Sequence, residues 1–230
     1  MIVIEDLAYF GMDFRKDYLV PGQPPFQPTI GRYTDDYVML ISSSKIFSYA
    51  GQRIGMMAIS DHLFERSYPD LLRYYSTDKF GHSAIFGALY GLSAGVTHSV
   101  QYGLAALIKA VNDGEYKLTD DVREYGEKAK EMKKMFVTNG FQIVYDRDLE
   151  EPLADGFYFT ICYPGMPGEE LIVELLRYGI SAISLMTTGS NRSDGLRACV
   201  SMVPRMQFPE LNARLKQFSE DHQVYKINKN

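Results

Sequence analysis

The chain has 230 residues, of which 46% are hydrophobic and 23% are charged, and its formal net charge is −5. This length and composition are those of a folded protein with one or two domains, and they exclude a fully disordered chain. The acidic balance does not favour a nucleic-acid groove, which needs a basic excess.

The cysteines and histidines show neither a disulfide framework nor a metal centre. Cys162 and Cys199 lie far apart and form no CxxC pair, and the four histidines lack metal-ligand spacing. The first residues lack the pattern of a signal peptide, and the most apolar stretch, residues 84–100, is interrupted by polar and small residues. We therefore expect a cytoplasmic protein that binds no metal, membrane or nucleic acid.

Three apolar runs predict the strands of a first sheet, and they cover residues 1–4, 37–41 and 54–59. The first run is continuously apolar, which is typical of a strand buried on both faces in a parallel sheet. A Pro- and Gly-rich loop, residues 18–33, separates it from the second run. The link from Ser42 to Arg53 is barely long enough for a parallel crossover, so the third strand is expected to return antiparallel.

Two helical patterns follow these strands. Residues 60–75 predict a helix that is capped by Ser60 or Asp61 and kinked or divided by Pro69. Residues 83–111 predict one long helix rich in small residues, and Asn112-Asp113-Gly114 is typical of its C-terminal end.

Composition shifts after Gly114, where we place a domain boundary between residues 1–114 and residues 115–230. Residues 119–138 predict an amphipathic helix whose lysine-rich face, which includes Lys128, is expected to be solvent-exposed. The rest alternates strands and helices, which indicates a sheet covered by helices. The predicted strands are 141–145, 157–163, 180–185 and 196–202, and the predicted helices are 168–178 and 209–221.

Two groups of polar residues follow predicted strands, where open α/β sheets bind ligands. Asp6 and Tyr9 follow the first strand, and this acid and phenol could hold a ring nitrogen and a neighbouring oxygen. Lys45 follows the second strand in Ser42-Ser43-Ser44-Lys45. A partly desolvated lysine there is an amine nucleophile that can form a Schiff base with an aldehyde. A surface turn and a solvent-facing lysine are the alternatives.

Two arginines are candidate anion receptors. Arg53, in Gly51-Gln52-Arg53, could bind a phosphate bidentately, with Ser42 and Ser44 adding hydroxyl donors. Arg197 lies in an apolar strand, where its charge is costly unless it is paired. A carboxylate ligand and a buried salt bridge would pair Arg197 equally well.

In this order the four groups resemble one family, the class I/II fold-type-I pyridoxal-phosphate-dependent aminotransferases. The resemblance spans essentially the whole chain and also includes a Gly-Phe-Tyr strand start in the second half. The matching segments are Asp6-Leu7-Ala8-Tyr9, Ser42-Ser43-Ser44-Lys45, Gly51-Gln52-Arg53-Ile54-Gly55, Gly156-Phe157-Tyr158 and Leu196-Arg197.

The resemblance implies an α/β fold. Residues 1–114 would form the C-terminal half of the cofactor-binding large domain, with a mostly parallel sheet and helices on both faces. Residues 115–230 would form a small C-terminal domain of α+β or α/β type. The implied cofactor is pyridoxal 5′-phosphate, the implied substrates are an amino acid and a 2-oxo acid, and the implied assembly is a homodimer.

The resemblance also implies a role for each matching residue. Lys45 would form the Schiff base with the cofactor and then act as general base and acid. The remaining roles are to bind the cofactor or the substrate. Asp6 would pair with the ring nitrogen, Tyr9 with the ring hydroxyl oxygen, Ser42, Ser44 and Arg53 with the phosphate, and Arg197 with the substrate α-carboxylate.

Family members are much longer than this chain, and the part that they add precedes the residue matching Met1. That part normally supplies a phosphate loop and an aromatic residue that stacks on the cofactor. The resemblance therefore implies a truncated aminotransferase. The alternative is a non-catalytic, aminotransferase-like fragment that oligomerises or complements another chain.

A third interpretation is a Ser-Lys acyl enzyme, because Ser42 and Lys45 formally match an SxxK motif. Those enzymes also carry SDN and KTG elements, and the nearest strings here, Ser193-Asp194-Gly195 and Thr187-Thr188-Gly189, match neither. Their SxxK motif also begins a helix, whereas here it follows a predicted strand.

Overall fold

The first part of the chain is built on two parallel strands. A computed structural model describes residues 1–154 and 156–222, and in it β1 (Val3–Leu7) pairs in parallel with β2 (Tyr37–Ser42). On the other side of β2, β3 (Gly55–Ile59) pairs antiparallel, with Gly55 opposite Ser42. The predicted antiparallel return of the third strand is therefore confirmed.

β1 begins and ends later than the sequence predicted. The predicted strand stopped before Glu5 and Asp6, but both acids lie within β1. Glu5 is held there because its Oε2 accepts a hydrogen bond from the backbone N–H of Ile30 at 2.9 Å. The prediction that this strand is buried on both faces is wrong for this chain, since Ile4 is 66% exposed.

The helix predicted over residues 60–75 is divided, as expected. α1 (Asp61–Glu65) follows Ser60, whose hydroxyl accepts a hydrogen bond from the backbone N–H of Leu63 at 3.1 Å and so caps the helix. A 3₁₀ turn, Pro69–Arg73, comes next. Pro69 starts this turn because a proline in a first helical turn loses no backbone hydrogen bond.

The single long helix predicted over residues 83–111 is wrong. Helical structure begins earlier, at α2 (Phe80–His82), and three segments replace the predicted helix: a π-helical stretch (Ser83–Leu89), α3 (Tyr90–Ser93) and α4 (His98–Asn112). The break falls at Ala94, whose φ of 53° is left-handed and sterically costly for a non-glycine residue. No helix in the described ranges combines the length and the apolar character needed to cross a membrane.

The chain divides into two units. The first contains Met1–Met12 and Lys16–Thr119, and the second contains Asp13–Arg15 and the chain from Asp120 onward. The second unit has an antiparallel sheet in the strand order β4-β7-β9-β8 and a two-stranded hairpin, β5 and β6, that the sequence did not predict. Its strands are β4 (Gln142–Ile143), β5 (Arg147–Asp148), β6 (Glu151–Pro152), β7 (Tyr158–Cys162), β8 (Ile183–Ser184) and β9 (Leu196–Cys199). Its helices are α5 (Leu118–Thr138), α6 (Gly168–Arg177) and α7 (Phe208–Asp221).

An aromatic core holds the second unit together. Alternate residues of β7 and β9 are buried, so one face of the sheet packs into this core. The Phe218 ring of α7 meets the Tyr163 ring edge-on, with the ring centroids 5.1 Å apart. Leu175 of α6 and Leu215 of α7 are fully buried in the same cluster. The helices are therefore fixed to the sheet by apolar burial.

Lys128 contradicts the prediction that the lysine-rich face of α5 is exposed. Lys128 is only 6% exposed, although Lys130 and Lys134 are exposed as expected. Its Nζ lies 3.5 Å from the backbone oxygen of Ser201 and 6.0 Å from the centroid of the Tyr125 ring. Burial lowers the pKa of the Lys128 ammonium, and its long aliphatic stem explains why packing tolerates it.

Leu175 tests the core of the second unit, with its neighbour Leu176 as a matched control. Leu175 is fully buried, whereas Leu176 is 54% exposed. We expect Leu175→Ala to lower the free energy of unfolding by about 2–5 kcal/mol, because it leaves a cavity. Leu176→Ala should change it by about 0.5 kcal/mol or less. Urea unfolding followed by circular dichroism measures both, and equal losses would contradict the assigned core.

Candidate functional site

The parallel pairing of β1 and β2 brings two of the predicted polar groups to one edge of the first sheet. Leu7, the last residue of β1, lies opposite Ile41, and Ser42 ends β2. The segments that follow the two strands therefore leave the sheet on the same side. Lys45 Nζ lies 5.4 Å from the centroid of the Tyr9 ring, which is within cation–π range.

Asp6 shapes the turn that leaves β1. Its Oδ1 accepts a hydrogen bond from the backbone N–H of Ala8 at 3.0 Å, and its side chain is exposed. The backbone N–H of Phe10 donates to the carbonyl of Leu7 at 3.1 Å, which turns the chain back. Tyr9 is 46% exposed in this turn. A carboxylate and a phenol are thus both accessible at the sheet edge.

The loop of the β2–β3 hairpin, residues 43–54, carries both Lys45 and Arg53. The Ser43 carbonyl accepts hydrogen bonds from the backbone N–H groups of Phe47 and Tyr49, each at 3.3 Å, and the Lys45 carbonyl accepts one from Ser48 at 3.2 Å. These bonds wind the first half of the loop into turns. Lys45 is half-buried as a result.

Ser43 anchors this loop, although no sequence pattern singles it out from the neighbouring serines. It is fully buried, and its hydroxyl donates to the backbone carbonyl of Ile54 at 2.5 Å. This bond joins the two ends of the loop just beyond the last strand pair, Ser42 and Gly55. The antiparallel return could have indicated that residues 43 and 54 approach each other, but not which serine hydroxyl is buried.

The predicted phosphate ligands lie on the same loop. Ser42 Oγ accepts a hydrogen bond from the Ser44 backbone N–H at 3.1 Å. Arg53 is exposed and has a φ of 54° and a ψ of 48°, a left-handed conformation that is uncommon for a non-glycine residue. Its Nη1 donates to the Ala50 carbonyl at 2.9 Å, and within the described part of the chain the guanidinium makes no other hydrogen bond. A Cβ at Gly51 would meet no atom within 4 Å, so the loop is open there.

Arg197 lies on β9 in the second unit. It is half-buried, opposite Thr160 of β7 and Ile183 of β8. Its guanidinium carbon lies 4.1 Å from the centroid of the Tyr158 ring. Among the described residues of this unit, no carboxylate forms an ion pair with Arg197. The salt bridge that the sequence left open as an alternative therefore has no partner there.

Solved aminotransferase structures share the fold of this chain, although no family model and no curated protein matches its sequence. LysN, an α-aminoadipate aminotransferase from Thermus thermophilus complexed with N-(5'-phosphopyridoxyl)-L-leucine, matches with a TM-score of 0.64 and 18% identity over 97% of this chain and 51% of that one. An aromatic aminotransferase from Pyrococcus horikoshii matches with a TM-score of 0.67 and 15% identity over 97% and 52%. An alanine aminotransferase from Pyrococcus furiosus matches with a TM-score of 0.63 and 15% identity over 96% of this chain and 50% of that one.

These matches confirm the predicted resemblance at the level of the fold, which is mixed α/β. The chain spans about half the length of each solved structure that it matches.

Ser43→Ala tests the anchor of the hairpin loop. We expect the free energy of unfolding to fall by about 1 kcal/mol, because the carbonyl of the half-buried Ile54 loses its hydrogen bond from the Ser43 hydroxyl. Ser44→Ala, on a half-buried neighbour, is the control and should cost about 0.5 kcal/mol or less. Urea unfolding gives both values, and amide hydrogen exchange shows whether the loss is confined to residues 43–54. A Ser43→Ala protein as stable as the parent would contradict the assigned anchor.

Proposed function

We propose that this chain is the C-terminal part of a pyridoxal-phosphate-dependent aminotransferase and that it contains the cofactor-binding lysine, Lys45. One observation carries the proposal. The parallel register of β1 and β2 brings Lys45 and Tyr9 to the same sheet edge, where Lys45 Nζ lies 5.4 Å from the centroid of the Tyr9 ring. Asp6 lies near the end of β1, the strand that precedes Tyr9. The fold match supports it further, because one of the matching structures, LysN, is complexed with N-(5'-phosphopyridoxyl)-L-leucine.

The groups present suit pyridoxal 5′-phosphate. The exposed Asp6 carboxylate can stabilise a protonated pyridine nitrogen, and the Tyr9 phenol can donate to the neighbouring ring oxygen. The exposed Arg53 guanidinium has donors left for a phosphate, and the open space at Gly51 lets an anion approach the backbone. The site therefore offers an amine, an anion and a cation that match the aldehyde, the ring and the phosphate.

When it is bound, the cofactor supplies an aldehyde that an amine can attack and a ring that accepts electron density. Lys45 Nζ would hold the aldehyde carbon. Once a substrate amine has displaced it, the freed Lys45 amine would take the proton from the substrate Cα and return it to the former aldehyde carbon. Asp6 would keep the proton on the ring nitrogen. Ser42, Ser44 and Arg53 would hold the phosphate, and Arg197 would bind the α-carboxylate of an amino acid or a 2-oxo acid.

The alternative is a non-catalytic fragment that oligomerises or complements another chain, and exposed apolar residues of the first unit favour it. Such residues on one chain favour burial against a partner. They include Ile4 at 66%, Leu40 at 41%, Phe86 at 64%, Leu92 at 89% and Tyr102 at 76% exposed. The two functions differ in whether Lys45 reacts with the cofactor, and an oligomer alone fits either of them.

Borohydride trapping tests the proposed role of Lys45. The purified chain is mixed with pyridoxal 5′-phosphate, its visible absorption is recorded at several pH values, and borohydride-reduced protein is mapped by mass spectrometry. We expect a pH-sensitive band and one predominant pyridoxyl adduct on Lys45, because this amine is half-buried at the sheet edge. Lys45→Ala should lose both.

Lys109→Ala is the matched control, because Lys109 lies in the same unit, is 75% exposed at its side chain and pairs with Asp113. It should keep the band and the adduct. Pyridoxyl adducts scattered over surface lysines, or a visible absorption band that survives in Lys45→Ala, would contradict the cofactor proposal. An oligomer in light scattering that takes up no label would instead support the non-catalytic alternative.

Asp6→Asn tests the proposed pairing with the ring nitrogen. An asparagine oxygen can still accept the hydrogen bond from Ala8, so the turn should survive while the negative charge is lost. We expect cofactor affinity to fall about tenfold to a hundredfold, because a charge-assisted hydrogen bond contributes about 1.5–3 kcal/mol. Asp35→Asn, at an exposed acid of the same unit, is the control. Fluorescence titration with pyridoxal 5′-phosphate measures the affinities, and equal values for both variants would remove Asp6 from the site.

A further inference from the structure

We infer that Tyr158 is a positioning residue that holds the Arg197 guanidinium ready for a small carboxylate. The inference rests on the proposed function, in which Arg197 binds the substrate carboxylate. The added point is that an aromatic ring, that of Tyr158, orients Arg197 where a carboxylate side chain could otherwise have done so.

The register of the second sheet places the two side chains on one face. Tyr158 lies opposite Cys199, and Thr160 lies opposite Arg197, in the antiparallel pair of β7 and β9. Since side chains two residues apart share a face, Tyr158 and Arg197 are diagonal neighbours on the same side. Phe159 and Ala198 point to the opposite side, into the core. The stacked pair therefore lies on the face away from the core.

The stacking distance fits a guanidinium that lies over an aromatic ring. The guanidinium carbon is 4.1 Å from the Tyr158 centroid, well inside the range of about 6 Å over which cation–π attraction acts. Such contact takes up the face of the guanidinium and leaves its N–H edges for a ligand. A carboxylate approaches an arginine along those edges, through two parallel hydrogen bonds.

Tyr158 contacts the ring of its buried neighbour Phe157. The Phe157 ring meets Tyr158 at 78°, with the centroids 6.2 Å apart, and Phe157 packs edge-on against Tyr125 of α5 at 4.7 Å. Phe157 is buried. A chain of three rings thus links the arginine to a helix that carries part of the hydrophobic core, which restricts the motion of the guanidinium before any ligand binds.

The charge of Arg197 also needs an explanation that the second unit does not otherwise supply. A half-buried guanidinium without an ion pair loses hydration that only partly returns through the aromatic ring. No described carboxylate of its unit pairs with it. An incoming carboxylate would complete the set of partners, and the ring would keep the guanidinium in place until then.

Protection of Arg197 from phenylglyoxal, which modifies arginines, tests the inference on the full chain. Pyruvate is the probe, and methyl pyruvate, which lacks the carboxylate, is the control at equal ionic strength. Mass spectrometry gives the modification rate of the Arg197 peptide at each concentration, and hence an apparent dissociation constant. Arg192, which is exposed and paired with Asp194, reports non-specific protection in the same digest.

Three variants separate the ring from its surroundings. We expect Tyr158→Leu to weaken pyruvate protection about threefold to thirtyfold, the range of a lost cation–π contact. Tyr158→Phe keeps the ring and should stay within about twofold of the parent. Ile183→Val changes a neighbour on the same face and should do likewise. Tyr158→Met replaces Tyr158→Leu if circular dichroism shows that the latter does not fold.

The outcomes distinguish this inference from the proposed function. Ring stacking does not position the arginine if pyruvate protects Arg197 in Tyr158→Leu as well as in the parent. The same conclusion follows if Tyr158→Phe loses as much protection as Tyr158→Leu. If pyruvate does not protect the parent, Arg197 is not a carboxylate receptor in this chain, and the inference falls even where Lys45 is labelled. If protection depends on the ring while Lys45 takes no label, the inference holds and the cofactor proposal fails.

Discussion

The parallel pairing of β1 with β2 is the constraint on which the candidate cofactor site depends. Two parallel strands release their following segments at the same sheet edge, so Tyr9 and Lys45 meet although 35 residues separate them in the sequence. An antiparallel pairing of the same two strands would send those segments to opposite ends of the sheet. Every role assigned to this edge therefore rests on ten backbone residues, Val3–Leu7 and their partners 37–41.

The second constraint is the hairpin that follows. Because β3 returns antiparallel, Lys45 and Arg53 belong to one closed loop, and the buried hydroxyl of Ser43 ties its two ends together. The loop thus places an amine and a guanidinium by local hydrogen bonds. The carboxylate receptor is built differently, since Arg197 lies on a strand of another sheet and is oriented by an aromatic ring. One unit uses backbone turns to hold its polar groups, and the other uses side-chain stacking.

The sequence predicted those features of the first unit that have a local cause. The antiparallel return of β3 followed from the short link between strands, the cap at Ser60 from its hydroxyl, and the break at Pro69 from its missing N–H. The break at Ala94 could not be predicted, because alanine is the best helix former and its left-handed conformation is imposed by context.

The burial of Lys128 and of Ser43 could not be predicted for the same reason, since each is a polar residue whose burial depends on distant partners. For the site itself, the motifs indicated which residues to consider. Their contact at the sheet edge could be expected only from the strand order, and the stacking of Arg197 on Tyr158 could not be expected from the motifs at all.

The hairpin also determines where this chain can change length without harm. The Pro- and Gly-rich segment between β1 and β2 lies outside the strand register, and lengthening a flexible loop costs only about 0.6 kcal/mol for each doubling. The segment between Lys45 and Arg53 has no such freedom. It is closed by the Ser42–Gly55 pair and by the Ser43–Ile54 hydrogen bond, so one inserted residue would rotate one reactive side chain relative to the other. A change of length is therefore tolerable in the segment between β1 and β2 and costly in the loop between β2 and β3.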